Sequence, residues 1–252
     1  MNLQLEGKNV LITGGSKGIG KGIAKAFLKE GAHVTIAARN VEDLETAAEE
    51  IGGAAILELN VTDETHVHEQ FEKYISRNGT LDVLINNAGG SQGGAVLYTE
   101  LQEFKEAMEL NFYSAVRLSQ LAGAHMKQRR SGAIVQISSI FGKESGGKPT
   151  YNASKSALIS FTKSFADEMI PNGVRVNSVA PGSILHPTGN WQKRLEKSPQ
   201  AIQQFVDQNI PAGRFGTVEE VANVVVFLAS PMASWVVGTT VTVDGGQSYM
   251  NA

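Results

Sequence analysis

The chain of 252 residues contains no cysteine, which excludes disulfides, thiol catalysis and thiolate-bound metals. Its five histidines, His33, His66, His68, His125 and His186, show no metal-ligand pairing at i, i+4, and no metal is expected. Long hydrophobic runs are also missing. The longest such tract is Val224-Val-Val-Phe-Leu-Ala229, far short of the ~18 apolar residues of a membrane span. The opening MNLQLEGKNV has neither the charged nor the apolar region of a secretory leader, so a soluble cytoplasmic protein is expected. Charge of one sign is scarce: the net charge is −3 and the basic residues are scattered, which argues against nucleic acid or a membrane surface as partner. The densest basic patch, Lys127-Gln-Arg129-Arg130, reads as the solvated last turn of a helix. No repeat of 20–50 residues and no linker divides the chain, so residues 1–252 are read as one domain.

Glycine, by contrast, is abundant, with 27 residues in a chain that is 42% hydrophobic. That combination suggests tight turns and close backbone approaches rather than disorder. The first concentration follows a short apolar run, Asn9–Ile12: Thr13-Gly14-Gly15-Ser16-Lys17-Gly18-Ile19-Gly20, then Ile23, Ala24, Phe27 and Leu28 at helical spacing. Strand, glycine turn and helix in this order favour a diphosphate, because backbone N–H groups and the helix dipole converge on negative charge. The alternation continues with strand His33–Ala38, a helix near 41–51, strand Ala54–Leu59, a helix near 64–77 and strand Leu81–Ile85. Such βαβ units predict an α/β fold with a parallel sheet covered on both faces.

Past the second strand a protein specific for NAD would offer a carboxylate to the ribose 2′-hydroxyl; here stand Ala38 and Arg39. Arg39, with Lys17 in the glycine turn, offers charge-assisted donors to a 2′-phosphate, so NADP(H) is expected over NAD(H). Asn86-Asn87-Ala88-Gly89 suits a loop that a nucleotide crosses closely. A long helix from Leu101 to about Lys127 carries a single polar Asn111 among apolar residues, either a structural clip or a site residue. Strand Ala133–Ile137 delivers Ser138 and Ser139 to the carboxyl edge of the sheet. In the helix that opens at Tyr151-Asn-Ala-Ser-Lys155, Tyr151 and Lys155 stand one turn apart, where the ammonium is expected to ease deprotonation of the phenol. Strand Gly173–Val179 ends near Pro181-Gly182, and residues 183–210, with Trp191, Lys193, Arg194 and Lys197, lose regular alternation and read as a lid. Thr217 and Glu220 form a capping box for a helix to Ala229, before a last strand Thr239–Val243.

Taken together, TGGSKGIG at 13–20, NNAG at 86–89, Asn111, Ser139, YNASK at 151–155, PG at 181–182 and VDGG at 243–246 resemble the short-chain dehydrogenase/reductase family over nearly the whole chain. The resemblance implies a Rossmann-type, doubly wound seven-stranded parallel sheet and a homotetramer. It implies that Tyr151 exchanges the proton, Lys155 holds the nicotinamide ribose, Ser139 binds the substrate oxygen and Asn111 positions a water. Cofactor contacts are implied at Gly14, Ser16, Lys17, Gly18, Ile19 and Gly20, at Arg39, at Asn60 and Val61, and at Asn87, Ala88 and Gly89. Pro181, Gly182 and Ile184 complete the implied set with Tyr151 and Lys155. Asn60 replaces the family's usual Asp, and His186 stands where its Pro-Gly-x-x-x-Thr pattern places threonine, so the carboxamide contact is left to Thr188, the Ile184 backbone or another group. The C-terminal part is similar to 3-oxoacyl-acyl-carrier-protein reductases, and Arg129 and Arg130 are candidates to meet an acidic carrier. Dehydrogenation of a sugar, polyol or other secondary alcohol, and a catalytically silent dinucleotide sensor, remain the alternatives.

Overall fold

Alternate residues of β1 (Asn9–Thr13) point to opposite sides of one sheet and are buried on both: Val10 and Ile12 join one core, Leu11 the other. This double burial is why the strands read as unbroken apolar runs. The computed structural model of the protein describes residues 2–250. In it β1, β2 (His33–Ala38), β3 (Ala55–Glu58), β4 (Val83–Asn86), β5 (Gly132–Ile137), β6 (Val174–Pro181) and β7 (Thr240–Val243) form a seven-stranded parallel sheet. Their order is β3-β2-β1-β4-β5-β6-β7. The expected doubly wound α/β fold is thus present.

The helices are α1 (Gly18–Lys29), α2 (Val41–Glu50), α3 (Glu64–Asn78), α4 (Leu101–Met108), α5 (Ser114–Arg129), α6 (Pro149–Met169), α7 (Asn190–Lys197), α8 (Pro199–Asn209) and α9 (Val218–Ala229). Ile23 and Phe27 of α1, Leu44 of α2 and Val225 of α9 fill the core on one face. Phe71 of α3, Leu118 and Met126 of α5, and Phe165 of α6 fill the other. Local signals set where the helices begin. Asn40 caps α2, Asp63 caps α3, and Thr217 with Glu220 forms the expected capping box on α9; such caps stabilise by ~1 kcal/mol each.

Two expectations need correction. The long helix through Asn111 is interrupted by a π-helical turn at Glu109–Tyr113. The extra residue turns Asn111 inward, where hydrogen bonds to Gly90 and Ala107 hold it. Residues 183–210 are more regular than expected, because they contain α7 and α8. Pro199 at the first turn starts α8, with only Ser198 between the two helices. Trp191 stacks on Phe205 with ring centroids 4.6 Å apart and lies 5.1 Å from Phe215, so aromatic packing joins both helices to the segment before α9.

Candidate active site

The strand order reverses between β1 and β4, and a crevice opens there at the carboxyl ends of the strands. It is a cavity of about 600 Å³. One end is built by the glycine turn. Gly18 has φ +54°, and a Cβ on Gly20 would lie 2.3 Å from the Gly14 carbonyl oxygen, so neither position accepts a side chain without displacement. No side chain caps the start of α1, which leaves its first N–H groups available to an anion. Asn87 braces the turn from β4: its Nδ2 donates to the carbonyl oxygens of Thr13 and Gly14, both at 3.0 Å. The N–H groups of Asn87 and Ala88 in turn donate to the buried Thr13 hydroxyl. Gly14, Ser16, Lys17, Gly18, Ile19, Arg39, Asn87, Ala88 and Gly89 all line the cavity. Lys17 is ion-paired with Asp43 at 2.6 Å, whereas Arg39 has no ion pair among the described residues.

At the other end, β5 delivers two serines with different tasks. Ser138 donates to the Val179 carbonyl oxygen at 2.9 Å and accepts from Ser178, tying β5 to β6. Ser139 Oγ accepts only from Phe141 N–H at 3.2 Å among the described residues, which leaves its own proton to donate. Tyr151 and Lys155 face the same space from α6. Lys155 is 3% exposed and donates to the Ile137 carbonyl oxygen at 2.8 Å. Burial lowers its pKa from 10.5 to about 8.

The expected easing of Tyr151 ionisation is not what the geometry gives. Tyr151 is half-buried where it lines the cavity, and burial raises its pKa; the neighbouring Ser139 hydroxyl opposes the rise. The Lys155 ammonium lies over the ring, 5.5 Å from its centroid, and spends a proton on Ile137. Desolvation therefore sets the direction of the shift, and the phenol, which ordinarily titrates near pH ~10, holds its proton at neutral pH.

Asn111 stands behind this site as a clip. Its Oδ1 accepts from Gly90 N–H at 2.9 Å, and its Nδ2 donates to the carbonyl oxygens of Gly90 at 3.0 Å and Ala107 at 2.9 Å. A Cβ on Gly89 would fall 2.7 Å from Asn111 Oδ1 and 3.4 Å from Lys155 Nζ. The bare backbone at Gly89 is what lets these two polar groups approach the loop.

Pro181 and Gly182 line the cavity, but Gly20, Asn60, Val61, Asn111 and Ile184 do not. Asn60 Oδ1 accepts from the Thr62 hydroxyl at 2.9 Å. Val61 is buried, with its carbonyl oxygen accepting from Arg117. Ile184 is 7% exposed and bridges to Gly216. Thr188 does line the cavity, together with His186, Ser91 and Gly90, which sequence reasoning did not assign to the site. The available signal was adjacency to strand ends already singled out. No cluster suited to a metal ion occurs among the described residues.

Residues 14–248 match the family model described as enoyl-(acyl carrier protein) reductase. The 3-oxoacyl-acyl-carrier-protein reductase of Thermotoga maritima is 37% identical over 249 residues, spanning 97% of this chain and 99% of the relative. That of Escherichia coli is 36% identical over 259 residues, spanning 98% and 100%. L-Sorbose reductase from Gluconobacter frateurii, solved with NADPH and L-sorbose, matches with a TM-score of 0.92 and 35% identity over 99% of this chain and 100% of that one. Likeness of this extent, on a site that presents a phenol, a buried amine and a free serine hydroxyl to one crevice, makes the chain a member of the short-chain dehydrogenase/reductase family and an oxidoreductase acting on CH–OH groups.

Proposed function

We propose that the protein is an NADP(H)-dependent reductase of a ketone carbonyl, working in the cytoplasm as a homotetramer, with residues 183–210 of its single domain serving as a substrate lid. The observation that carries the reading is the cavity's polarity from end to end: Arg39 at one end, Ser139, Tyr151 and Lys155 at the other. The glycine turn, which admits no side chain at Gly20, and the uncapped start of α1 fit a dinucleotide diphosphate. Arg39 and Lys17 would hold a 2′-phosphate, and Lys155 the ribose beside Gly89. The nicotinamide supplies the hydride.

The protein's own part is placement and proton delivery. Ser139 donates a hydrogen bond to the substrate oxygen and so stabilises the charge that develops there. Tyr151, a phenol that holds its proton at neutral pH, gives it to that oxygen. Asn111 fixes Gly90 through two hydrogen bonds, and with it the loop that walls the reacting end.

A 3-oxoacyl thioester is the first substrate reading, because the curated relatives that match at full length carry that name. A keto-sugar is the second. It is favoured by the hydroxyl-bearing lining of the cavity, to which Ser91, Ser139 and Thr188 contribute, and by the likeness to a sorbose reductase. Arg129 and Arg130, the expected contacts of an acidic carrier, are both exposed but stand away from the cavity of their own chain. Arg129 pairs with Asp82 at 3.1 Å and Arg130 donates to the Pro171 carbonyl oxygen. Both precede β5, at the edge of the sheet opposite the cavity; a six-residue strand separates them from Ser138, about 20 Å at ~3.3 Å per residue.

The test is steady-state NADPH oxidation against an acetoacetyl thioester, simple ketones, diketones and keto-sugars, with NADH in parallel. Thioester turnover selects the first reading and keto-sugar turnover the second. Tight NADPH binding without turnover, followed by no oxidation of an alcohol panel with NADP⁺, would convert the protein into a silent sensor and overturn the proposal.

A further inference from the structure

His186 occupies the position at which the family pattern has threonine, and it does more than fill the space. A Cβ placed on Gly18 would fall 2.8 Å from its Cε1, 3.0 Å from Nε2 and 3.1 Å from Nδ1. A Cβ on Gly189 would fall 2.8 Å from Nε2. The imidazole is therefore held between the glycine turn and the residue that precedes α7, with two bare glycines making room for it. Its ring lines the cavity, and its one polar partner among the described residues is the Thr188 hydroxyl, 3.2 Å from Nδ1.

Charged groups surround this ring without pairing with it. On the glycine turn and α2, Lys17 is bound to Asp43; Lys21 of α1 is bound to Glu50. Lys25 of α1 and Glu219 at the start of α9 lie on the far side, where a second cavity meets the ring. Arg39, Tyr151 and Lys155 share the main cavity with it. No carboxylate contacts the imidazole among the described residues, and burial alone lowers its pKa. A neutral imidazole thus stands against the turn that offers its N–H groups to a diphosphate.

We infer that His186 is a proton-linked clasp: binding of the dinucleotide draws a proton onto the imidazole, and the imidazolium joins the cofactor diphosphate at the glycine turn to the lid. This rests on the dinucleotide reading above. The sign follows from linkage. A ring that is neutral when free and charged in the complex takes up one proton on binding, so affinity falls as pH rises through the interval between its free and bound pKa values. An opposite charge within ~4–6 Å raises such a pKa by about 1–3 units, which corresponds to at least about tenfold in affinity across the interval.

The experiment is isothermal titration calorimetry of NADP⁺ into the full chain from pH 5.5 to 8.5, in buffers of low and high ionisation enthalpy. Wild type is compared with His186→Gln and His186→Thr, because the ligand's own 2′-phosphate titrates near pH ~6 and only the difference isolates the ring. Wild type is expected to take up more protons per bound NADP⁺ than either variant, by up to one, and to lose about threefold or more extra affinity between pH 6 and 8, the part of the full change that this window spans. Equal proton uptake and parallel affinity profiles in all three proteins would overturn the clasp while leaving the dinucleotide reading intact. Failure of wild type to bind NADP⁺ at any pH would overturn both. Should neither variant fold, the imidazole Cε1–H resonances of wild type decide the matter: one of the five must move its titration upward by at least about one unit on adding NADP⁺, and five unmoved titrations refute the inference.

Discussion

Replacing Asn111 by alanine separates the clip from the proton path. The side chain makes three hydrogen bonds, from Gly90 N–H and to the carbonyl oxygens of Gly90 and Ala107, all between 2.9 and 3.0 Å. Asn111 is 1% exposed, so water does not readily replace the lost partners. At ~0.5–1.5 kcal/mol for each net hydrogen bond, the cost is about 2–4 kcal/mol. For a chain of this size each kcal/mol shifts the melting midpoint by roughly 2–4 °C, so the midpoint should fall by about 4–16 °C. The assay is thermal unfolding followed by circular dichroism at matched protein concentration, because assembly couples stability to concentration. Steady-state kinetics are measured well below the transition. A clip predicts a lower midpoint together with weakened substrate binding, since Gly90 and its loop are released. A midpoint within 2 °C of wild type combined with a large loss of kcat would refute the clip and assign Asn111 to proton transfer instead.

The other predictions concern the cofactor and the catalytic pair. Tyr151→Phe should leave NADPH affinity near wild type in a fluorescence titration while turnover drops by at least about 10², the scale of a lost proton donor; unchanged turnover would remove Tyr151 from the chemistry. Arg39→Asp should move the ratio of NADPH to NADH affinity toward NADH by about 10–100-fold, the equivalent of one charge-assisted hydrogen bond of ~1.5–3 kcal/mol, and an unmoved ratio would show that Arg39 does not meet the 2′-phosphate. Lys155 has a folded pKa of about 8 against 10.5 when free, so between those values the unfolded chain holds the extra proton and stability rises with pH. Relative to Lys155→Met, wild type should gain about 3 kcal/mol from pH 7.5 to 10.5 in denaturant unfolding; a constant difference would mean that the ammonium is not desolvated.

Much of the fold was legible because the physics behind it is local and repetitive. Strands buried on both faces must be apolar throughout, so β1, β2 and β5 stood out with bounds within a residue or so of those observed. Thr217 and Glu220 announced the start of α9 because a capping box needs only two side chains at fixed spacing. Features that depend on partners distant in the chain were not legible. The π-helical turn contains Asn111, which reaches Gly90, 21 residues away, and no periodicity encodes that reach. The pairing of α7 with α8 relies on Trp191 meeting Phe205 and Phe215 across the segment. In the site, Tyr151 and Lys155 declared their shared face through helical spacing, but the sign of the tyrosine shift turned on burial. Ile184 was singled out in a stretch whose cavity-facing members are His186 and Thr188, because that loop has no period from which orientation can be read.

The π-helical turn at Glu109–Tyr113 also acts as a phase shifter. One residue beyond the α-helical count offsets the residue numbering after it by about 100° around the axis, given 3.6 residues per turn. Counted at about 100° per residue, Leu118, Ala122 and Met126 would stand about 20°, 60° and 100° from Ala107, whereas the extra residue sets them at about −80°, −40° and 0°, so a regular wheel drawn through the turn misplaces the buried stripe. Deleting a single residue between 109 and 113 would straighten the rod without rotating α5, because the turn already holds one residue more than the axis requires. Along this stretch the chain carries one residue more than its axis needs, and Asn111 lies within that surplus.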